Sequence, residues 1–166
     1  MPPSTQIVLL MGVAGSGKTT IGRRLAAELG WPYHEADDFH SAANKAKMAR
    51  GQPLDDADRA PWLAAIRAAI DECTAAGRSA VFSCSALKET YRRVLTAGVP
   101  GIRLVFLSGD RTLLQQRLEG RAGHYMKAGM LDSQFTILEP PTDALTFDVR
   151  QSPEEILAEI RRTLGL

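Results

Sequence analysis

The segment QIVLLMGVAGSGKTTIG sets a short, continuous apolar run directly before a complete GxxxxGK[ST] pattern. A run of this length ending at glycine reads as a strand buried on both faces. The pattern covers Gly12, Val13, Ala14, Gly15, Ser16, Gly17, Lys18 and Thr19, and Thr20 follows at once. Its glycines let backbone N–H groups converge on phosphate oxygens with no Cβ in the way. The N-terminus of the following helix adds about half a positive charge. Lys18 is placed to reach the β- and γ-phosphates, and Thr19 to ligate Mg2+. The chain is expected to bind a nucleoside triphosphate.

Strand and helix patterns alternate from there. A helix is expected from Lys18, with Ile21, Leu25 and Leu29 four apart and Gly30 as its stop. WPYHEA is a short second strand. A polar stretch runs to Pro61, where a second helix opens with Leu63, Ile66, Ile70 and Cys73 on one face. SAVFSC is a third strand, backed by a short helix from Leu87 to Leu95. IRLVFLS is the fourth, followed by a helix through Leu113, Leu114, Arg117 and Leu118. After a Gly/Met-containing stretch comes a weak fifth strand, ALTFDV. The last helix opens on Ser152 as cap, Pro153 and Glu155. This alternation implies βαβ units: an α/β fold with a parallel sheet, helices on both faces, and ligands at the strand C-termini.

The length of 166 residues suits a single domain spanning 1–166. A net charge of +1 gives no reason to expect nucleic acid or a membrane surface as partner. Cys73 and Cys84 show no CxxC spacing and read as buried reduced thiols. MPPSTQ lacks the charged region of a signal peptide, and the apolar run from Ile7 to Ala14 is well short of the ~18 residues a span requires. A cytoplasmic protein is expected.

Phosphate-loop proteins include kinases, switches and motors. There is no NKxD-type guanine motif, and the third strand ends in the neutral Ser83-Cys84-Ser85. A second acid for the metal must therefore come from elsewhere, and Asp37-Asp38 in EADDFH is the nearest pair. Acids in this segment can grip a ribose, hold a metal, take a proton or cap a helix; the phosphate-loop pattern in place of GxGxxG removes the first. Two further segments reach the same sheet edge. SCSALKETYRR carries Lys88, Arg92 and Arg93, and RLEGRAGHYM carries Arg117, Arg121 and His124. Arg117 and Arg121 share one helix face, which suits a lid closing over phosphates.

Together these segments resemble the gluconokinase family of small carbohydrate kinases. The likeness runs over nearly the whole chain, and KMARGQPLDDADRAPWL, SCSALK and RAGHYM…SQF…LEPP carry its specific part. The family's GDDFHP reads here with Ala36 and Ser41, and its GHFMP with His124-Tyr125-Met126-Lys127. Shikimate kinases share the loop and an Asp near position 37, but a glycine triplet is expected of them where this chain has SCSALK.

The resemblance implies a nucleoside-monophosphate-kinase-like three-layer fold with strand order 2-3-1-4-5. It places a substrate-binding helical segment at about 38–62 and a helical lid at about 120–138. It further implies a homodimer that uses ATP and Mg2+ to phosphorylate the 6-hydroxyl of D-gluconate. Asp37 is then expected to act on the acceptor hydroxyl as base or orienting group, and His40 to bind polyol hydroxyls. Arg59, in the PLDDADRAPWL turn, is expected to face the gluconate carboxylate, with Lys47 as a weaker candidate for the same pocket. Lys88 and Arg92 are assigned to the substrate or the transferred group, Arg121 to transition-state charge, and Arg117 to adenine or phosphate. His124 and Gln134 join the closed site, and adenine is expected near Gln151 to Pro153. Asp55, Asp56 and Asp58 are read as turn and cap residues, Trp31 and Trp62 as packing, while Asp38 has no assigned role. The competing readings are a kinase for shikimate or another sugar acid, and a nucleotide-dependent switch without turnover.

Overall fold

The computed structural model describes residues 4–120 and 128–166. Among them, five parallel strands form one sheet in the order β2-β3-β1-β4-β5: β1 Ile7–Met11, β2 Tyr33–Glu35, β3 Ala80–Ser83, β4 Ile102–Ser108 and β5 Leu145–Asp148. The order is the one the resemblance implied. β1 sits at the centre, hydrogen-bonded to β3 on one side and β4 on the other. That burial on both faces is why its sequence is an unbroken apolar run.

Alternation along the strands divides the core into two layers. Val8, Leu10, Val81, Val105, Leu107 and Phe147 face helices α1 (Lys18–Leu29), α5 (Arg111–Glu119) and α7 (Pro153–Leu164). Ile7, Leu9, Met11, Phe82 and Phe106 face α3 (Asp56–Ala75) and α4 (Glu89–Thr96). The expected caps are present: Gly30 closes α1 with a left-handed φ of 68°, and Ser152 and Glu155 form a capping box at α7. Both cysteines are free and buried, as read. Trp62 is buried in the α3 layer, and Trp31 packs against the α1 layer. Among the described residues no helix is long and apolar enough to cross a membrane.

Two expectations about helices change. The helix expected to open at Pro61 starts at Asp56, because Asp55 caps it in a reciprocal box with Asp58, and Pro61 lies inside it. Arg59 is therefore on a helix rather than in a turn. The stretch before it contains α2 (Ala42–Ala49), capped by Ser41 accepting from the Asn44 N–H. Of α2's residues only Asn44 and Met48 are buried, so it carries no apolar stripe for a periodicity argument to find. The Gly/Met-containing stretch likewise contains α6, Ala128–Ile137.

α1 lies close on the sheet where it matters for the site. A Cβ at Gly22 would fall 2.6 Å from Ser83 Oγ and 2.6 Å from a Tyr33 ring carbon. The Ser83 hydroxyl donates to the Lys18 carbonyl at 3.0 Å, pinning the start of α1 to β3.

Candidate active site

The loop between β1 and α1 is built against the sheet edge. Gly12 has φ of 154°, and a Cβ there would lie 2.8 Å from the Leu107 carbonyl oxygen, so no side chain fits. Lys18 Nζ donates to the Val13 carbonyl at 3.1 Å, which curls the lysine over the loop. Ser16 Oγ is buried without a hydrogen-bond partner. An unsatisfied buried hydroxyl is costly, and a phosphate oxygen in the cradle is a partner of the right kind. Donor set, backbone and orphaned hydroxyl all fit a nucleotide phosphate.

Thr19, the expected metal ligand, has an acidic partner that the sequence reading did not name. The Thr19 hydroxyl donates to Glu35 Oε2 at 2.7 Å, and the Tyr33 hydroxyl donates to the same oxygen at 2.6 Å. Burial, then the Glu35 hydrogen bond, pushes the Tyr33 phenol far above its ordinary value, so it stays a donor. Glu35 is thus the acid that the structure sets beside Thr19, the expected metal ligand. The sequence reading passed over it for Asp37-Asp38. The missed signal was strand alternation: Tyr33 and Glu35, two apart on β2, share the face turned to α1.

Asp37 and Asp38 lie in a 3-10 turn over Ala36–Phe39, both exposed. The Trp62 indole N–H fastens the turn to α3 by donating to the Ala36 carbonyl at 2.7 Å. His40 stacks on Trp62 with ring centroids 4.2 Å apart, and its Nδ1 lies 3.4 Å from Asn44 Nδ2. Burial, with the cations of Arg59 and Lys45 adding to it, pulls the imidazole down to about 4. His40 is therefore neutral at physiological pH, a hydrogen-bonding group and not a cation. Cys84, buried at the end of β3, feels Lys18, Asp37 and Glu35 together, which places all three around the same strand end.

A second cluster lies beyond the turn. Arg59 donates to the Tyr91 hydroxyl at 3.1 Å, and its guanidinium sits 5.4 Å from the ring centroid. Tyr91 donates to Asp56 Oδ1 at 2.5 Å, and Lys88 Nζ donates to the same oxygen at 3.1 Å. The structure thus brings Arg59 and Lys88, which the sequence reading assigned separately, into one cluster with Tyr91 and Asp56.

Two expected ligand contacts are engaged elsewhere. The Arg92 side chain is buried and donates to the Ala86, Leu87 and Glu139 carbonyls at 2.8, 3.1 and 2.8 Å. It braces the SCSALK loop, whose Ala86 has a left-handed φ of 45° that costs about 1 kcal/mol for an L-residue. Lys47 pairs with Asp58 at 2.7 Å and ties α2 to α3. Asp55 and Asp58 are cap residues, as expected.

Where adenine is expected, Arg117 donates to the Val149 carbonyl at 2.6 Å, joining α5 to the loop that carries Gln151. From α6, Gln134 Oε1 accepts the Ala14 N–H of the phosphate loop at 2.7 Å. Arg121 and His124 lie outside the described residues, as does most of the expected lid before α6.

Fold and site together define a phosphate-loop kinase of small molecules, with a phosphate cradle after β1 and polar side chains clustered on the segments that follow β2 and on α3 and α4. Residues 7–141 match the family model described as an AAA domain. The chain is 42% identical to the gluconokinase of Gluconobacter oxydans (strain 621H), over 95% of this chain and 90% of that one. It is 41% identical to a probable gluconokinase of Mus musculus, over 95% and 97%. It also superposes on the crystal structure of a gluconokinase from Sinorhizobium meliloti 1021 with a TM-score of 0.84, at 40% identity over 96% of this chain and 91% of that one. The chain belongs to the gluconokinase family.

Proposed function

We propose that this chain transfers the γ-phosphoryl group of ATP to the 6-hydroxyl of D-gluconate, giving 6-phospho-D-gluconate and ADP. The observation that supports the reading is a phosphate cradle after β1 together with an acidic turn at Asp37 that Trp62 ties to α3, the helix whose Arg59 clusters with Lys88. Gluconate, a polyol with one carboxylate, has the complementary ends.

In this reading Asp37 accepts the hydroxyl proton as the 6-oxygen bonds to the γ-phosphorus, and the bond from that phosphorus to the β-phosphate oxygen breaks. His40, held neutral, hydrogen-bonds the polyol. Arg59 and Lys88 take the carboxylate, a task for which the planar guanidinium fork is suited. Lys18 and the loop N–H groups hold the phosphates, Arg121 neutralises charge in the transition state, and His124 and Gln134 complete the closed site. Adenine lies between Arg117 and the Gln151 segment.

Mg2+ is bound by oxygen ligands and keeps several waters, so one hydroxyl and a nearby carboxylate suffice on the protein side. Thr19 and Glu35 would hold it, with the Glu35 carboxylate orienting the Thr19 hydroxyl. When bound, the ion neutralises charge on the β- and γ-phosphates. The chain acts as one domain over 1–166, in the cytoplasm and as a homodimer; these last assignments rest on the family likeness.

An ADP-release assay with gluconate, shikimate, AMP or no acceptor tests the reading. Turnover with gluconate alone is expected. Turnover with shikimate instead, or ATP hydrolysis indifferent to acceptor, overturns it.

A further inference from the structure

The cations assigned to the substrate carboxylate already hold a carboxylate of this chain. Asp56 Oδ1 accepts from both Lys88 Nζ and the Tyr91 hydroxyl, and that hydroxyl accepts from Arg59. Both cations also lie over the Tyr91 ring, with Arg59 at 5.4 Å and Lys88 at 5.5 Å from its centroid. Tyr91 is 5% exposed, whereas the Asp56 side chain keeps 71% of its surface, so a fixed tyrosine carries a carboxylate that can swing away. Asp56 is not needed as a cap: Asp55 and Asp58 form the box that starts α3. Nor is it a packing residue, since it belongs to neither core layer.

We infer that Asp56 is an internal competitor for the anion subsite, a specificity residue whose carboxylate the substrate's own carboxylate displaces from Lys88 and Tyr91. This rests on the gluconate reading above. The consequence is selective. A simple anion offers only its charge in exchange for Asp56 and gains little. A sugar acid adds hydrogen bonds from its hydroxyls to the Asp37 and His40 side of the pocket and so wins the exchange. Asp56 thereby sets a threshold that small anions do not cross, at the expense of some affinity for the true substrate.

The opposite role is physically distinct. If Asp56 only held Lys88 and Tyr91 in position, or itself bound a substrate hydroxyl, removing its charge would weaken gluconate binding.

The test is steady-state kinetics of Asp56→Asn and Asp56→Ser against the parent enzyme, with gluconate varied at saturating ATP. An exposed ion pair of this kind is worth enough to shift affinity about two- to five-fold. The expected result is a KM for gluconate lowered by about that factor, with kcat and the KM for ATP unchanged. Acetate should inhibit the variants at lower concentration than it inhibits the parent, while the neutral polyol glucitol distinguishes them no better than before. Asp71→Asn, which removes an exposed carboxylate elsewhere on α3, should leave all of these constants in place. A KM for gluconate that rises or stays put in both Asp56 variants overturns the inference. Absence of gluconate turnover in the parent enzyme instead overturns the functional reading beneath it. Thermal melts of both variants identify any that does not fold, and the serine variant decides if the asparagine one is lost.

Discussion

The hydroxyl of Thr19, at the start of α1, donates to the carboxylate of Glu35, at the end of β2, across 2.7 Å. A side chain that orients a metal ligand matters nearly as much as the ligand: replacing such partners commonly lowers metal affinity or activity by about 10–100-fold. Glu35→Gln is expected to lower activity by about that factor at limiting Mg2+ and to recover part of it as Mg2+ is raised. The check is an ADP-release titration with Mg2+; a wild-type curve would remove Glu35 from the metal's surroundings.

Asp37→Asn and Lys18→Ala should each abolish most turnover in a folded protein. General-base assistance contributes about 10²–10⁴-fold, so Asp37→Asn should fall by at least ~10²-fold in kcat. Circular dichroism and melting temperature should be unchanged, because both side chains lie on the rim of the site. A near-normal kcat would mean that Asp37 serves only to bind.

His40 makes a prediction about pH. Its value in the folded protein is about 4, against 6.5 for an ordinary histidine. Between these values the unfolded chain binds a proton that the folded protein refuses. The contribution to stability is therefore complete above about pH 6.5 and drains away as the pH falls towards 4. His40→Asn should flatten the fall in melting temperature between pH 7 and pH 4.5. An NMR titration of the His40 ring with its midpoint near the ordinary value would contradict the assignment.

Arg59 and Arg92 should separate cleanly, although both are arginines near the acceptor pocket. Arg59→Lys should raise the KM for gluconate about ten-fold, as loss of a charge-assisted hydrogen bond does, with little change in melting temperature. Arg92→Lys cannot span three carbonyls and should destabilise the fold by about 1–3 kcal/mol. For a domain of this size that corresponds to about 2–4 °C per kcal/mol in melting temperature. Arg92→Lys with unaltered stability and a raised KM would restore the ligand role that its sequence position invites.

These contrasts show where the sequence was legible. The βαβ alternation, the cradle from Gly12 to Thr19 and the α7 capping box are local patterns, set by residues a few positions apart, and the strand order came with the family resemblance. Arg59 was read as the carboxylate contact and Lys88 as a separate contact to substrate or transferred group; that the two meet over the Tyr91 ring was not legible. Nor was the role of Arg92: a sequence shows that a guanidinium is near a site but not that three carbonyls, one of them 47 residues away, already hold it. Glu35 was overlooked because its partner Thr19 is joined to it by the packing of α1 on the sheet. α2 escaped the periodicity reading, because a helix resting on Asn44 and Met48 has no stripe to read; only the family resemblance implied a helical segment there.

The hydrogen bond from Trp62 to the Ala36 carbonyl has a consequence for which sugar acids are accepted. It ties the Asp37 turn to α3, the same helix that carries Arg59, so the proposed proton acceptor and the proposed carboxylate clamp hang on one support. In the proposed reading that support works as a caliper: a five-carbon aldonate gripped by its carboxylate is expected to leave its terminal hydroxyl short of the phosphoryl group and to inhibit, while the six-carbon chain is expected to reach it. Chain length is then expected to count for more than the stereochemistry of any one hydroxyl.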